Sequence, residues 1–490
     1  MEVNKSNPEV PTLKEKTAKG VFWAGTSTII NQVINLVFGV VLARILNAED
    51  YGLVGMLAVF TLIAVILQDG GFTSALTNKK NVEDKDYNAI FWFAFLSSLT
   101  MYVILFLSAP FIASFFNEPR LLVLSRVVFL SIIISGLGVV PGAYIFKNLM
   151  VKERAISDIC SLLISGSVGI TMVLNGFSYW SLAIQSMVFF LIGTCMKWYY
   201  VRWKPKFQFD FSSLKEMFGF SSKIFMTSIF FHISSNIYTI ILGRFYNATQ
   251  VGYYTQGYKW QTMGASVISE IFSLITQPLF VQAETSNTDP VKVFRKLLRF
   301  AAFLSFPLML GLAFIGKEFI TITIGDKWLP CVPILQILCL WGAMLPIWKL
   351  YTGFLISKGK SDYYLIINVI IGLSQILFAY IMYPYGIYKM LLVYLLVNFG
   401  GLFLCHYYTN KIMKLRIIDV LKDIIPYLLI TIGVYLISYL LVYYIDNLYL
   451  LFTSKFFIPI ILYSLAMIVT KSVMFKESMI FLKQQVLKIK

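Results

Sequence analysis

Three basic residues, Arg126, Lys259 and Lys349, fall inside or near the ends of long apolar segments. A cation at the centre of a bilayer costs about 2.5 to 3.5 kcal/mol on insertion scales, so such a residue is retained for a function or for a partner. The chemistry open to these three is non-covalent contact with an anionic group. The competing explanation for Arg126 and Lys349 is snorkelling from a helix end, and Arg126 stands only about five residues into its segment. Two carboxylates, Asp69 and Glu270, sit in similar surroundings and are the candidates for proton or sodium coupling. Glu270 follows Lys259 by eleven residues, close to three helical turns, so both project from one face about 16 Å apart. Glu270 can instead pair with a cation on another helix, and Asp69 can serve as a helix cap. Tyr254, Tyr258 and Trp260, flanked by Tyr253, Gln256 and Gln261, offer rings that stack on sugars and amides that bind hydroxyls. The same cluster also fits the aromatic belt of a membrane interface.

Covalent and metal chemistry have little support. Cys160, Cys195, Cys331, Cys339 and Cys405 are scattered singly in or beside apolar runs, and His232 and His406 are the only histidines. Neither set has a metal-ligand spacing, so the cysteines read as small apolar packing residues and no metal or organic cofactor is expected.

The elements that must position these groups are membrane spans. Apolar side chains make up 58% of the 490 residues and charged ones 13%, about half the usual soluble share, which excludes a soluble enzyme. At about 20 residues per span the apolar content fills some 14 helices. Fourteen candidate segments lie at 20–43, 52–76, 89–113, 121–145, 156–175, 179–201, 219–243, 252–277, 297–320, 331–356, 363–384, 386–409, 424–445 and 449–471. Placing the N-terminus in the cytoplasm puts 31 of the 41 Lys and Arg residues in inward segments and seven in outward loops, with Arg126, Lys259 and Lys349 left over. That asymmetry supports both termini inside. It also accounts for most of the net charge of +17 without a nucleic-acid partner.

A shift of 200 residues lays the chain on itself. Leu42, Arg44, Asn47, Ala48 and Gly52 recur as Leu242, Arg244, Asn247, Ala248 and Gly252, five identities in eleven positions. Six helices separate the copies, so both run the same way through the membrane, and two parallel six-helix lobes follow. The expected organisation is a cytoplasmic tail (1–19) that is not a cleaved signal, an N-lobe (20–201), a polar basic interlobe loop (202–218), a C-lobe (219–409), two added helices (424–471) and a basic tail (475–490). That last tail can lie on anionic membrane lipid or be solvated.

On these residues a family resemblance can be stated. Lys19-Gly20-Val21-Phe22-Trp23, Leu42-Ala43-Arg44-Ile45-Leu46, Asp50-Tyr51-Gly52-Leu53 and Gln68-Asp69-Gly70-Gly71-Phe72 resemble the start of a Wzx-type polysaccharide flippase of the multidrug/oligosaccharidyl-lipid/polysaccharide (MOP) exporter superfamily. Ile241-Leu242-Gly243-Arg244, Val251-Gly252-Tyr253-Tyr254, Tyr258-Lys259-Trp260 and Gln277-Pro278-Leu279-Phe280 resemble the second-lobe pattern, so the likeness covers about the first 300 residues. Asn236 stands where relatives often carry an acidic residue, a departure that argues against cation coupling there. The resemblance implies an all-α, multi-pass protein of the bacterial cytoplasmic (inner) membrane with a MATE-like fold. It implies movement of undecaprenyl-diphosphate-linked oligosaccharide between leaflets by alternating access, alongside polysaccharide assembly proteins. The end product would be lipopolysaccharide O-antigen, capsule or exopolysaccharide. A cationic cleft between the lobes would take the headgroup, and Arg126, Lys259 and Lys349 are the cations most relevant to it. Two alternatives stay open at this level: another MOP-type transporter (a small-molecule cation antiporter or a lipid II flippase), or a membrane glycosyltransferase or polymerase. The short outward loops and the lack of a nucleophile or metal constellation weigh against the enzyme.

Overall fold

The structure is a computed structural model, and it describes residues 13–79, 82–207, 211–286 and 288–480. The first twelve and last ten residues, which carry most of both predicted tails, lie outside the described residues. Every regular element described is helical. The chain divides into two compact units, Met1–Ile233 and Ser234–Lys490.

The first unit runs α1 (Leu13–Ile45), α2 (Ala48–Asp69), α3 (Phe72–Asn78), α4 (Asp84–Phe115), α5 (Leu121–Val128), α6 (Leu130–Leu137), α7 (Val139–Lys147), α8 (Val151–Leu174) and α9 (Ser178–Tyr200). Next comes α10 (Phe211–Phe245), inside which the division between units falls, rather than in the 202–218 loop where the sequence places the lobe boundary. The second unit continues with α11 (Ala248–Thr285), α12 (Pro290–Phe314), α13 (Gly316–Thr323), α14 (Cys331–Gly342), α15 (Leu345–Ser357), α16 (Ser361–Met382), α17 (Ile387–Met413), α18 (Ile417–Val442) and α19 (Leu448–Val469). Among the described residues twelve helices are long and apolar enough to cross a membrane, and the bent run from Leu121 to Lys147 makes a thirteenth. The remaining expected segment, 219–243, falls within α10.

Local sequence explains the breaks. The predicted span at 121–145 is three short helices with a 42° bend between Leu137 and Val139. Pro141 has no N–H for the carbonyl four residues back, and the Leu137 carbonyl is bonded instead by Trp198 Nε1 of α9 at 3.0 Å. The junction of the repeat is built alike in both copies. α1 ends at Ile45 and α2 starts at Ala48, while α10 ends at Phe245 and α11 starts at Ala248, the same shift of 200. Asn47 caps α2, and Asn247 Oδ1 accepts the Gln250 N–H at 2.9 Å.

Helices in lipid approach through small residues, and α8 carries Ser157, Ser161, Ser165, Gly166 and Gly169 on its buried side. A Cβ on Gly166 would collide with the Phe38 ring, so α1 and α8 meet at that glycine. The start of the predicted interlobe loop is a packed strap rather than a free polar loop. Trp203 is buried against Tyr87, Phe91 and Trp198, and Asn88 Oδ1 accepts the Lys206 N–H at 2.8 Å.

In the second unit α18 and α19 pack on α12. Pro307 interrupts α12, and the Phe303 carbonyl it leaves open accepts the Tyr463 hydroxyl at 2.8 Å. The Pro307 carbonyl accepts the Tyr435 hydroxyl at 2.6 Å. Arg295 of α12 binds Asp423 of α18 through two nitrogens, at 2.6 and 3.2 Å. The described start of the C-terminal tail, 473–480, is helical, with Met474 buried and Glu477 paired with Lys296 at 2.8 Å.

Candidate functional site

The candidates divide between the two units. Arg126 and Asp69 belong to the first; Lys259, Lys349, Glu270 and the three aromatics belong to the second.

Arg126 is the last-turn residue of α5. Its guanidinium lies over the Phe106 ring of α4, 4.5 Å from the centroid, and its buried Nε has no hydrogen-bond partner. The ring face supplies part of the stabilisation that water would give, leaving the remaining N–H groups for an anion. Lys259 is half-buried in the first third of α11, with its ammonium 5.8 Å from the centroid of the adjoining Trp260 ring. Lys349 is half-buried in the first half of α15. Among the described residues no carboxylate pairs with any of the three.

The carboxylates differ from each other. Asp69 closes α2, where it accepts the Gly71 N–H at 3.2 Å and the Thr73 hydroxyl. It therefore holds the turn into α3, the capping role that its position in the sequence suggested, while also lining a cavity. Glu270 is exposed on α11. A single unbroken helix carries Lys259 and Glu270, so their eleven-residue spacing keeps them on one side of it.

The aromatic cluster separates into packed and open parts. Tyr254 is buried, stacked between Tyr238 and Tyr258 with centroids 6.3 and 6.0 Å away. Trp260 is also buried, edge-on to Phe319 at 5.1 Å, with its Nε1 unpartnered. Of these three candidates only Tyr258 is exposed, at 40%, with one side of its ring on Tyr254. Gln256 is buried with neither amide atom hydrogen-bonded, which marks the inner side of α11 as a place where polar groups lack partners.

Two features were missed. In the second unit, cavities of about 730 and 410 Å³ share Leu304 and run along α12, the larger beside the 473–480 helix and the smaller beside α19. Their walls are apolar, including Leu297, Phe300, Leu308, Leu312, Phe456 and Ile460. In the first unit a cavity of about 560 Å³ with a mixed, partly polar lining gathers Asp69, Asp158, Arg154 and Lys197. The sequence places Lys197 and Arg154 among the inward, orienting charges, although Lys197 already lies inside the expected segment 179–201.

Long apolar helices arranged in two units with a repeated junction define a polytopic helical membrane protein. A model of the polysaccharide biosynthesis protein family matches residues 41–333, and the chain belongs to that family. It is 25% identical over 356 residues to the teichuronic acid biosynthesis protein TuaB of Bacillus subtilis (strain 168), covering 72% of this chain and 74% of that one. It is 26% identical over 365 residues to the lipopolysaccharide biosynthesis protein WzxC of Escherichia coli (strain K12), covering 72% of each. The fold is similar to that of the lipid II flippase MurJ in an inward closed conformation, with a TM-score of 0.74, 16% identity, and 94% of this chain and 100% of that one covered.

Proposed function

We propose that this protein is a flippase for undecaprenyl-diphosphate-linked oligosaccharide repeat units, serving O-antigen, capsule or exopolysaccharide synthesis. It works from the bacterial cytoplasmic membrane with both termini inside, by alternating access. The observation that carries the reading is the set of cations within spans, Arg126, Lys259 and Lys349, that no carboxylate neutralises among the described residues. Unpaired intramembrane charge is costly, and an anionic diphosphate is the partner that offsets it. The apolar groove along α12 suits the other end of such a cargo, a long hydrocarbon chain that stays in lipid while the headgroup crosses. Family membership and the names of TuaB and WzxC support a polysaccharide pathway. Tyr258 is the residue of the aromatic cluster that can stack on a sugar ring. Glu270 and Asp69 are the groups through which a proton or sodium gradient would drive the cycle, and polysaccharide assembly proteins are the expected partners.

The test is genetic and chemical. Deleting the gene in its host should strand lipid-linked repeat units on the inner leaflet and remove surface polysaccharide. Lys259→Ala and Arg126→Ala should each fail to restore it at normal membrane abundance. Unchanged surface polysaccharide after deletion would end the reading. Full activity of both variants would remove the cationic path. Flux measured with imposed pH or sodium gradients separates coupled from passive movement.

A further inference from the structure

The cavity of the first unit is bounded by α2, α3, the α6–α7 bend, α8 and α9. Most hydroxyl donors on its wall are already committed inward. Thr77 donates to the carbonyls of Thr73 and Ser74, Ser135 to Ile132, Ser161 to Ser157 and Thr194 to Ile134. Thr73 donates to Asp69. Each of these groups therefore shows the cavity acceptor lone pairs and no free O–H. Gln68 adds a sharper signal. It is 1% exposed, its Nε2 donates to Ser135 Oγ at 2.7 Å, and its Oε1 has no partner. A buried amide oxygen left without a donor calls for a bound group that supplies one.

Two cations, Arg154 and Lys197, and the Asp158 carboxylate share the cavity with this acceptor wall. Arg154 and Asp158 are one helical turn apart on α8, 4.0 Å between nearest atoms. Lys197 of α9 shares the cavity with both, and no hydrogen bond or ion pair of its ammonium is found among the described residues. A bare anion would satisfy Lys197 and leave the acceptors empty. A metal cation would satisfy the acceptors and face the Lys197 ammonium. An uncharged sugar would leave the Lys197 ammonium with no hydrogen-bonded anion, only the more distant Asp158 carboxylate acting on it. A group carrying both hydroxyls and a phosphate supplies donors to the acceptors and an anion to the two cations.

We propose that this cavity is a docking site for a glycosyl phosphate, with Lys197 and Arg154 receiving the phosphate and the acceptors at Gln68, Asp69 and Thr194 receiving the sugar hydroxyls. The inference rests on the proposed function and deepens it, because it gives the headgroup a place wholly within the first unit. About 560 Å³ is ample for one or two pyranose rings.

The test uses the full chain in nanodiscs, with N-acetylglucosamine 1-phosphate as probe and thermal unfolding as readout. Saturable stabilisation is expected. Inorganic phosphate and N-acetylglucosamine should each bind more weakly by about tenfold or more. Lys197→Gln should lose the effect and Lys197→Arg should restore it. Gln68→Leu should weaken the sugar phosphate while leaving inorganic phosphate unchanged, a separation that general misfolding would not produce. Equal binding by wild type and Lys197→Gln overturns the proposal, as does no saturable binding. Stabilisation by sodium over potassium that vanishes in Asp69→Asn also overturns it, in favour of a cation site. If deletion of the gene leaves surface polysaccharide intact, the parent reading has failed. If deletion removes it while Lys197→Gln binds and exports like wild type, only this inference has failed.

Discussion

The two units solve one structural problem with different donors. In the first, the carbonyl left open by Pro141 is taken by Trp198 of α9, a helix of the same six-helix set. In the second, the carbonyl left open by Pro307 is taken by Tyr463 of α19, a helix outside the repeat. The shift of 200 residues also lays Glu118 on Glu318, each just after a long helix ending at Phe115 or Phe314. Glu118 is held locally by Arg120, at 2.7 Å, in a surface cluster with Glu49. Glu318 is buried and held by Lys455 of α19, at 2.8 Å. The second unit therefore completes its backbone and its charges with α18 and α19. Those helices are part of its core, and removing them would uncover polar groups that lipid cannot satisfy.

The strongest way to break this contrast is at the two carboxylates. Lys455→Ala leaves Glu318, 5% exposed, as an unpaired buried charge and should destabilise by about 3 to 5 kcal/mol. Arg120→Ala at the equivalent surface cluster, where Arg120 is 40% exposed, should cost no more than about 1 kcal/mol. Thermal unfolding of the purified protein, followed by tryptophan fluorescence, compares them directly. Pairing Glu318→Leu with Lys455→Met should recover most of the loss, since it removes both charges. Equal losses in the two single variants would mean that α19 is not holding Glu318.

The proline carbonyls give a second, smaller contrast. Tyr463→Phe keeps the ring but withdraws the donor from the Phe303 carbonyl, and should cost about 1 to 3 kcal/mol. The effect should be seen as faster hydrogen exchange in α12 around the proline, with the first unit unaffected. A third contrast lies at the repeated junction. Asp50 accepts the Asn47 N–H at 2.9 Å and the Ser178 hydroxyl, whereas its counterpart Gln250 gives the junction only a backbone N–H. Asp50→Ala should cost about 1 to 2 kcal/mol and Gln250→Ala a few tenths, by the same unfolding measurement.

What the sequence revealed follows from how local each signal is. Apolar runs located the helices because span length is set by bilayer thickness. The repeated junction was visible because its Asn caps sit next to what they cap. The pairs that define the second unit were hidden by distance along the chain, Arg295 with Asp423 being 128 residues apart and Glu318 with Lys455 being 137. A basic residue can serve two ends at once. Lys147 and Lys197 are among the 31 inward charges, yet the Lys147 ammonium also bonds the carbonyls of Leu76 and Lys79 at the end of α3, and Lys197 lines the cavity of the first unit. Trp260 and Tyr254 read as sugar platforms because of their type, and burial assigns both rings to packing, leaving Tyr258.

The smallest effect should come from acid. Arg120 bonds Glu118 directly and holds its carboxyl below the ordinary glutamate value of 4.5. A carboxylate with a lowered folded-state pKa adds stability above its unfolded value and loses it as pH falls through the folded value. Between neutral pH and 5 this cluster should therefore contribute a constant amount, and below about 4.5 the contribution should fade. Solvent screening keeps it small, so the comparison should be made as a difference between wild type and Glu118→Gln across pH 6 to about 3.5. The two unfolding temperatures should converge as acid is added. A gap that stays constant, or widens, would show that Glu118 acts through its shape rather than its charge, and the surface cluster would lose its place as the local counterpart of Glu318 and Lys455.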